Sequence, residues 1–285
     1  MASQSILTHR VITSVALAFS IWANLRYALG RAPVEKDPED DPFFRVGFTP
    51  FTANILFIII YWGVLHLLQI LFVAQYFFPD AAEGQNSEIS ELSSSRLEVA
   101  QTTGWYFTLF NILQLIWVLL FSHGHYILAE LVVILNFFNI LVLYLVSKSY
   151  KIKNLTNYLL IHIPTAAFPV SWLLYALFWN GAVAIGSQSL ASRIVANVFI
   201  WQFLIIPGFF LVFYRDWAIG LSSAYLVLGL AIGQIFTKLF ALQWIFALII
   251  SALLFLASIA VWSGNLGNSS ATSVQDGENA PLINN

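Results

Sequence analysis

The sequence has no cysteine, and charged side chains make up only 9% of its 285 residues. Without cysteine there are no disulfides, thiolate metal sites, cysteine nucleophiles or palmitoyl anchors. The scarcity of charge says more. Soluble domains carry roughly a quarter charged residues, whereas here 59% of the chain is hydrophobic. A core of this size could not hide so much apolar surface from water, so lipid is the solvent. A formal net charge of −2 leaves no basic surface and excludes nucleic acid as a partner. Gly-rich phosphate loops, a G-x-S-x-G elbow and kinase signatures are also missing. No apolar stretch carries the arginine ladder of a voltage sensor.

What is present is a succession of apolar stretches, each near the ~20 residues a membrane-crossing helix needs. They run approximately over 11–29, 51–78, 104–122, 126–147, 156–185, 193–214, 217–236 and 240–262. The expected fold is therefore all-α, a polytopic transmembrane helix bundle of about eight spans filling residues 1–262. The first stretch also reads as a signal peptide, with the small residues Ala28 and Gly30 where a peptidase would cut, and cleavage would leave seven. Polar loops are expected at 30–48, where Pro33, Pro38 and Pro42 sit among charges, and at 80–103, an acidic serine cluster. Residues 263–285 read as a flexible tail. Lys148, Lys151 and Lys153 crowd one short loop and place it in the cytosol, which puts both termini there too.

Aromatic residues make up 16% of the chain. They suit interfacial belts, or a stacking cavity for a flat or greasy ligand. Polar groups inside the stretches discriminate better, because each is costly unless paired or wet. Trp62, His66 and Gln69 share one helix face; Asn111, Gln114 and Trp117 recur every three residues. Asn136 and Asn139 lie on one side of the fourth stretch, and His162 and Asn180 lie in the fifth. Such groups either join helices by hydrogen bonds or line a common cavity. The candidate ligand-binding residues are Trp62, His66, Gln114, Trp117, Asn139 and His162. Glu130 is an intramembrane acid, suited to be a proton acceptor, a counter-ion or the partner of an imidazole, unless it sits at the headgroups. His123, His125 and Glu130 offer metal-ligand chemistry, with His66 or His162 as a further ligand, but match no zinc signature. No cofactor is expected. Pro164, Pro169 and Pro207 interrupt the fifth and sixth stretches and should kink them.

Gly47-Phe48-Thr49-Pro50 opens an aromatic second stretch that contains Tyr61-Trp62-Gly63. In the third, Gln114-Leu115-Ile116-Trp117 is followed by Phe121 and His123, and Arg215-Asp216-Trp217 precedes the seventh. On these residues the chain resembles an uncharacterised family of multi-spanning fungal membrane proteins. More distantly it resembles the tryptophan-rich sensory protein/translocator group. Those relatives favour Asn where this chain has Gln114. They are five-helix bundles that bind porphyrins and sterols, whereas this chain lacks their Trp-x-Pro-Pro loop and has extra spans.

The expected function is non-enzymatic: binding or transport of a small apolar or amphipathic molecule in an endomembrane. An intramembrane metal-dependent hydrolase and a ligand-free scaffold or assembly factor are the alternatives. The expected partners are the lipid bilayer, a small hydrophobic ligand and a clathrin adaptor. The adaptor follows from Glu278, Leu282 and Ile283, spaced as an acidic dileucine sorting signal. That signal favours the vacuole, with the endoplasmic reticulum second.

Overall fold

A computed structural model describes residues 2–28, 49–77, 87–152, 154–187, 189–237 and 242–278. Among the described residues the chain is helical, with no strand. The elements are α1 (Ala2–Ala28), α2 (Ile55–Phe77), α3 (Ser87–Ser122), α4 (Tyr126–Ser147) and α5 (Leu155–Ala184). They continue with α6 (Leu190–Phe199), α7 (Gln202–Phe213), α8 (Trp217–Thr237) and α9 (Gln243–Glu278). Seven spans among the described residues are long and apolar enough to cross a membrane: α2, α3, α4, α5, the α6–α7 pair over Ile194–Phe213, α8 and α9. The protein is thus an all-α, multi-pass bundle. The first helix is not one of the seven, and the apolar run in it is broken by Asn24 and Arg26. It packs along α3 and α2, burying Thr13, Ser20 and Ala23 and presenting Val11, Val15, Phe19 and Trp22 outward.

Two expected irregular stretches are helical where they are described. The third helix begins at Ser87, inside the 80–103 loop, because Glu, Leu, Arg and Ala there are competent helix formers that extend a span already nucleated. The last helix runs to Glu278, beyond the expected start of the tail at 263. The 30–48 loop, Lys153, Leu282 and Ile283 lie outside the described residues.

The most buried span is α5, with α2, α4, α7 and α8 packed on it. Its first part, Tyr158–Ala167, is a π-helix rather than a simple proline kink. Pro164 has no N–H to give, and the wider turn hands the remaining bonds five residues back, as from Phe168 N–H to the Ile163 carbonyl. Two carbonyls along this region accept from α2: Leu160 from the Gln75 amide at 3.1 Å and Phe168 from the Tyr61 hydroxyl at 2.7 Å. Side chains of α2 thereby satisfy backbone that lipid could not.

The stretch before α2 is also inside the bundle and not helical. Its backbone is claimed residue by residue: Ala53 N–H donates to the Tyr175 hydroxyl at 3.0 Å, which in turn donates to the Phe51 carbonyl at 2.9 Å. Asn54 N–H donates to the Gly229 carbonyl at 2.8 Å, and the Gln234 amide reaches the Thr49 and Thr52 carbonyls. Non-helical backbone at this depth survives only when protein supplies the partners.

Candidate functional site

Three polar or aromatic centres are strung along α5. The first is built on Asp216, in the short connection between α7 and α8. Arg215 before it holds a left-handed φ of 52°, rare for a residue with a Cβ, and turns its own side chain out while Asp216 turns in. Asp216 Oδ1 accepts from the Ala218 and Ile219 N–H groups at 3.2 and 3.3 Å, the N-cap geometry of α8. The same oxygen accepts from the Tyr158 hydroxyl at 2.8 Å. Oδ2 accepts from the Tyr144 hydroxyl at 2.9 Å and from His162 Nε2 at 2.8 Å. Because a carboxylate only accepts, the Nε2 carries the proton of that bond, and Nδ1 pairs with the Ser149 hydroxyl at 2.7 Å.

Burial on its own pushes the Asp216 carboxyl up, but the His162 charge and the hydrogen bonds from His162, Tyr158 and Tyr144 hold it below its ordinary value. Ser149, His162 and Asp216 follow the order of a hydrolase triad, but its geometry is reversed, with Ser on Nδ1 and the acid on Nε2. Ser149 and Asp216 are each 1% exposed and His162 is 0% exposed. Tyr150, Tyr214 and Trp217 close over the tyrosines. The centre ties α4, α5 and α8 together and presents no nucleophile.

The second centre is an aromatic wall. Trp172 of α5 meets Trp62 edge-on at 4.9 Å and Trp117 at 6.0 Å, and Trp62 lies 4.9 Å from His66. His66 bonds to Asn24 at 3.4 Å and to Gln69 Oε1 at 3.3 Å. On the same three helices, α2, α3 and α5, three buried donors have no partner within the protein: Gln69 Nε2, Gln114 Nε2 and Trp172 Nε1. The third centre is Glu130 near the start of α4. The Asn180 amide donates to Glu130 Oε2 at 2.7 Å and to the Tyr126 carbonyl at 3.0 Å, while Asn180 Oδ1 accepts from Trp117 Nε1 at 3.3 Å.

The expected cavity lining therefore divides. Trp62 and Trp117 both pack on Trp172, which hydropathy alone did not single out, and His66 packs on Trp62, while Gln114 lies one turn before Trp117 on α3. His162 does not join them: it lies nearly three turns along α5 from Trp172 and is consumed by Asp216. Asn139 does not join them either, since its amide donates to the Tyr106 carbonyl at 3.0 Å and, with Asn136 on the Phe110 carbonyl, fastens α4 to α3. His123 and His125 are exposed in the α3–α4 hairpin. Among the described residues no group of three His, Asp or Glu is placed to hold a metal, so the structure does not bring His123, His125 and Glu130 together for one. Asp216 was not singled out as a buried partner, because it lies between two apolar stretches rather than inside one. The usable signal was an acid just before an apolar helix, together with a His deep in another span that needed a partner.

Residues 193–283 match a family described as "Fungal protein of unknown function (DUF1774)", less than half of the chain. The chain is also 37% identical over 117 residues to an uncharacterised protein of Schizosaccharomyces pombe, covering 39% of this chain and 44% of that protein. The match thus spans under half the length of that relative. No solved structure matches significantly. Asp216 falls within the matched family region; His162, Trp117 and Glu130 fall outside it.

Proposed function

We propose that this protein binds or transports a small amphipathic molecule between α2, α3 and α5. The observation that carries the reading is the trio of unpartnered donors, Gln69 Nε2, Gln114 Nε2 and Trp172 Nε1: Trp172 packs on Trp62 and Trp117, Gln69 bonds to His66, and Gln114 lies one turn before Trp117 on α3. Buried polar atoms are nearly always paired, and in lipid an unpaired one is costlier still. A ligand with an acceptor group, such as a carbonyl, would satisfy them while its apolar body stacks on the indoles. The translocator-like run Gln114-Leu115-Ile116-Trp117 supplies two of these residues.

Gln114→Leu separates binding from scaffolding. It keeps the bulk and deletes an amide nitrogen that no protein group needs. The ligand-free variant should be as thermostable as wild type or more so, while affinity for a medium-chain fatty ester falls about tenfold, or ~1.4 kcal/mol. Thermal melting and isothermal titration of the purified full chain read the two effects. A variant that loses stability instead makes Gln114 a helix fastener and removes the support for a site. Trp117→Ala should likewise lose more affinity than stability.

The vacuole is the proposed address, resting on Glu278, Leu282 and Ile283. Changing both Leu282→Ala and Ile283→Ala in a tagged protein should move it out of the vacuolar membrane under the microscope. A double mutant that stays in place, or a wild type resident in the endoplasmic reticulum, removes that address.

A further inference from the structure

We infer that Glu130 and the rings around it form a subsite for the ammonium group of the ligand, so that the molecule taken up is an amphipathic amine. The inference rests on the small-molecule reading above and names the ligand's class.

Glu130 is the single carboxylate in the seven spans, and among the described residues no basic side chain pairs with it. The Asn180 amide cannot be turned round. An indole N–H only donates, so Trp117 fixes Oδ1 on its own side and Nδ2 on the side of Glu130. The carboxylate oxygen Oε2 is therefore an acceptor, held in place by a donor that brings no net charge. An acid oriented in this way inside a span, without a cation of its own, fits one supplied by a ligand.

The surroundings suit an organic cation rather than a bare metal ion. Phe121 lies 5.3 Å from Trp117, 5.0 Å from Trp179 and 5.2 Å from Tyr126, ring centre to ring centre. These four rings come from α3, α4 and α5, the helices that also carry Glu130 and Asn180. Aromatic faces attract alkylammonium groups, most strongly where water is scarce. Phe121, Tyr126, Trp179 and Glu130 are only partly buried, so the subsite is open at its rim. An oxygen cage with several carboxylates, as a hard cation needs, is missing from this group.

The apolar part of such a molecule has two neighbours. Trp117 belongs to both the ring cluster and the aromatic wall, so the donors Gln114 and Trp172 come next along the bundle. Gly181 borders the carboxylate, since a Cβ there would lie 3.3 Å from Glu130 Oε1. It also borders an apolar groove of about 190 Å³ lined by Phe51, Phe178, Val195 and Phe199.

The test uses octanoylcholine and its uncharged carbon isostere, 3,3-dimethylbutyl octanoate, titrated into the purified full-length protein and read by tryptophan fluorescence and calorimetry. Wild type should bind the choline ester at least tenfold more tightly than the isostere. Glu130→Gln should bring the ratio near one while leaving affinity for the isostere unchanged. Phe121→Leu, at the partly buried rim, should lower the ratio about threefold and serves if Glu130→Gln fails to accumulate. Gln114→Leu should weaken both esters alike. Equal binding of the two by wild type, or a ratio that survives Glu130→Gln or Phe121→Leu, overturns the ammonium subsite alone. Failure of wild type to bind either ester overturns the small-molecule reading with it.

Discussion

Asp216→Ala should abolish accumulation of the folded protein, or lower its thermal midpoint more than any change at the aromatic wall. One substitution removes the acceptor for Tyr144, Tyr158 and His162 together with the N-cap of α8. All three side chains stay buried with the polar atoms that faced Asp216 unpaired. Breaking a buried charged pair by deleting one member is worth about 3–5 kcal/mol, and a lost cap adds ~1. Asp216→Asn keeps the bulk and a cap-competent oxygen and should lose less. The two also differ in acid. The Asp216 carboxyl is held below its ordinary value in the folded state, so its stabilisation is fully present above the unfolded value, about 3.9, and is lost as pH falls through the folded one. Wild type should therefore lose thermal stability at the acid end, while Asp216→Asn should show a shallower acid limb. Melting curves in detergent across a pH series would decide it; identical acid limbs would mean that Asp216 is not the linked group.

Gly233→Ala should be the next most damaging change, for a steric reason. A Cβ at Gly233 would lie 2.7 Å from Asn54 N, 2.8 Å from the Ala53 carbonyl carbon and 2.8 Å from the Thr52 oxygen. These are backbone atoms of a segment already pinned by Tyr175, Gly229 and Gln234, so they cannot step aside as a side-chain tip would. Overpacking costs about 1–3 kcal/mol where neighbours can adjust, and a fixed backbone puts this site at the upper end. Gly63→Ala provides the contrast: nothing lies within 4 Å of its Cβ position. That variant should be neutral or gain up to ~1 kcal/mol from helix propensity. Similar melting shifts for the two would show that close approach to α8 is not what holds the pre-α2 segment.

Span positions were legible because hydropathy and length determine them. The expected 126–147 and 217–236 stretches coincide with α4 and with the spanning part of α8. The spacing Gly229-x-x-x-Gly233 was not singled out, and its meaning comes from α8 lying against Thr52–Phe57. Asn180, Glu130 and Trp117 were each noticed as polar or aromatic residues in different spans. That they form one chain depends on which faces of α3, α4 and α5 meet, and periodicity within a single helix does not contain that information. His162 illustrates the converse error. It was expected to face a ligand, but its partner lay outside the apolar stretches, in the connection before α8.

The His162–Asp216 pair also bears on how the chain is made. The two residues are 54 apart in sequence. As α5 leaves the ribosome it carries an imidazole and two prolines, and the carboxylate that answers the imidazole has yet to be synthesised. An isolated helix of this kind is a poor candidate for release into lipid, where each polar group raises the free energy of insertion. The bundle can close around α5 only after the α7–α8 turn has been translated, so assembly of the middle of the molecule waits on the arrival of its C-terminal third.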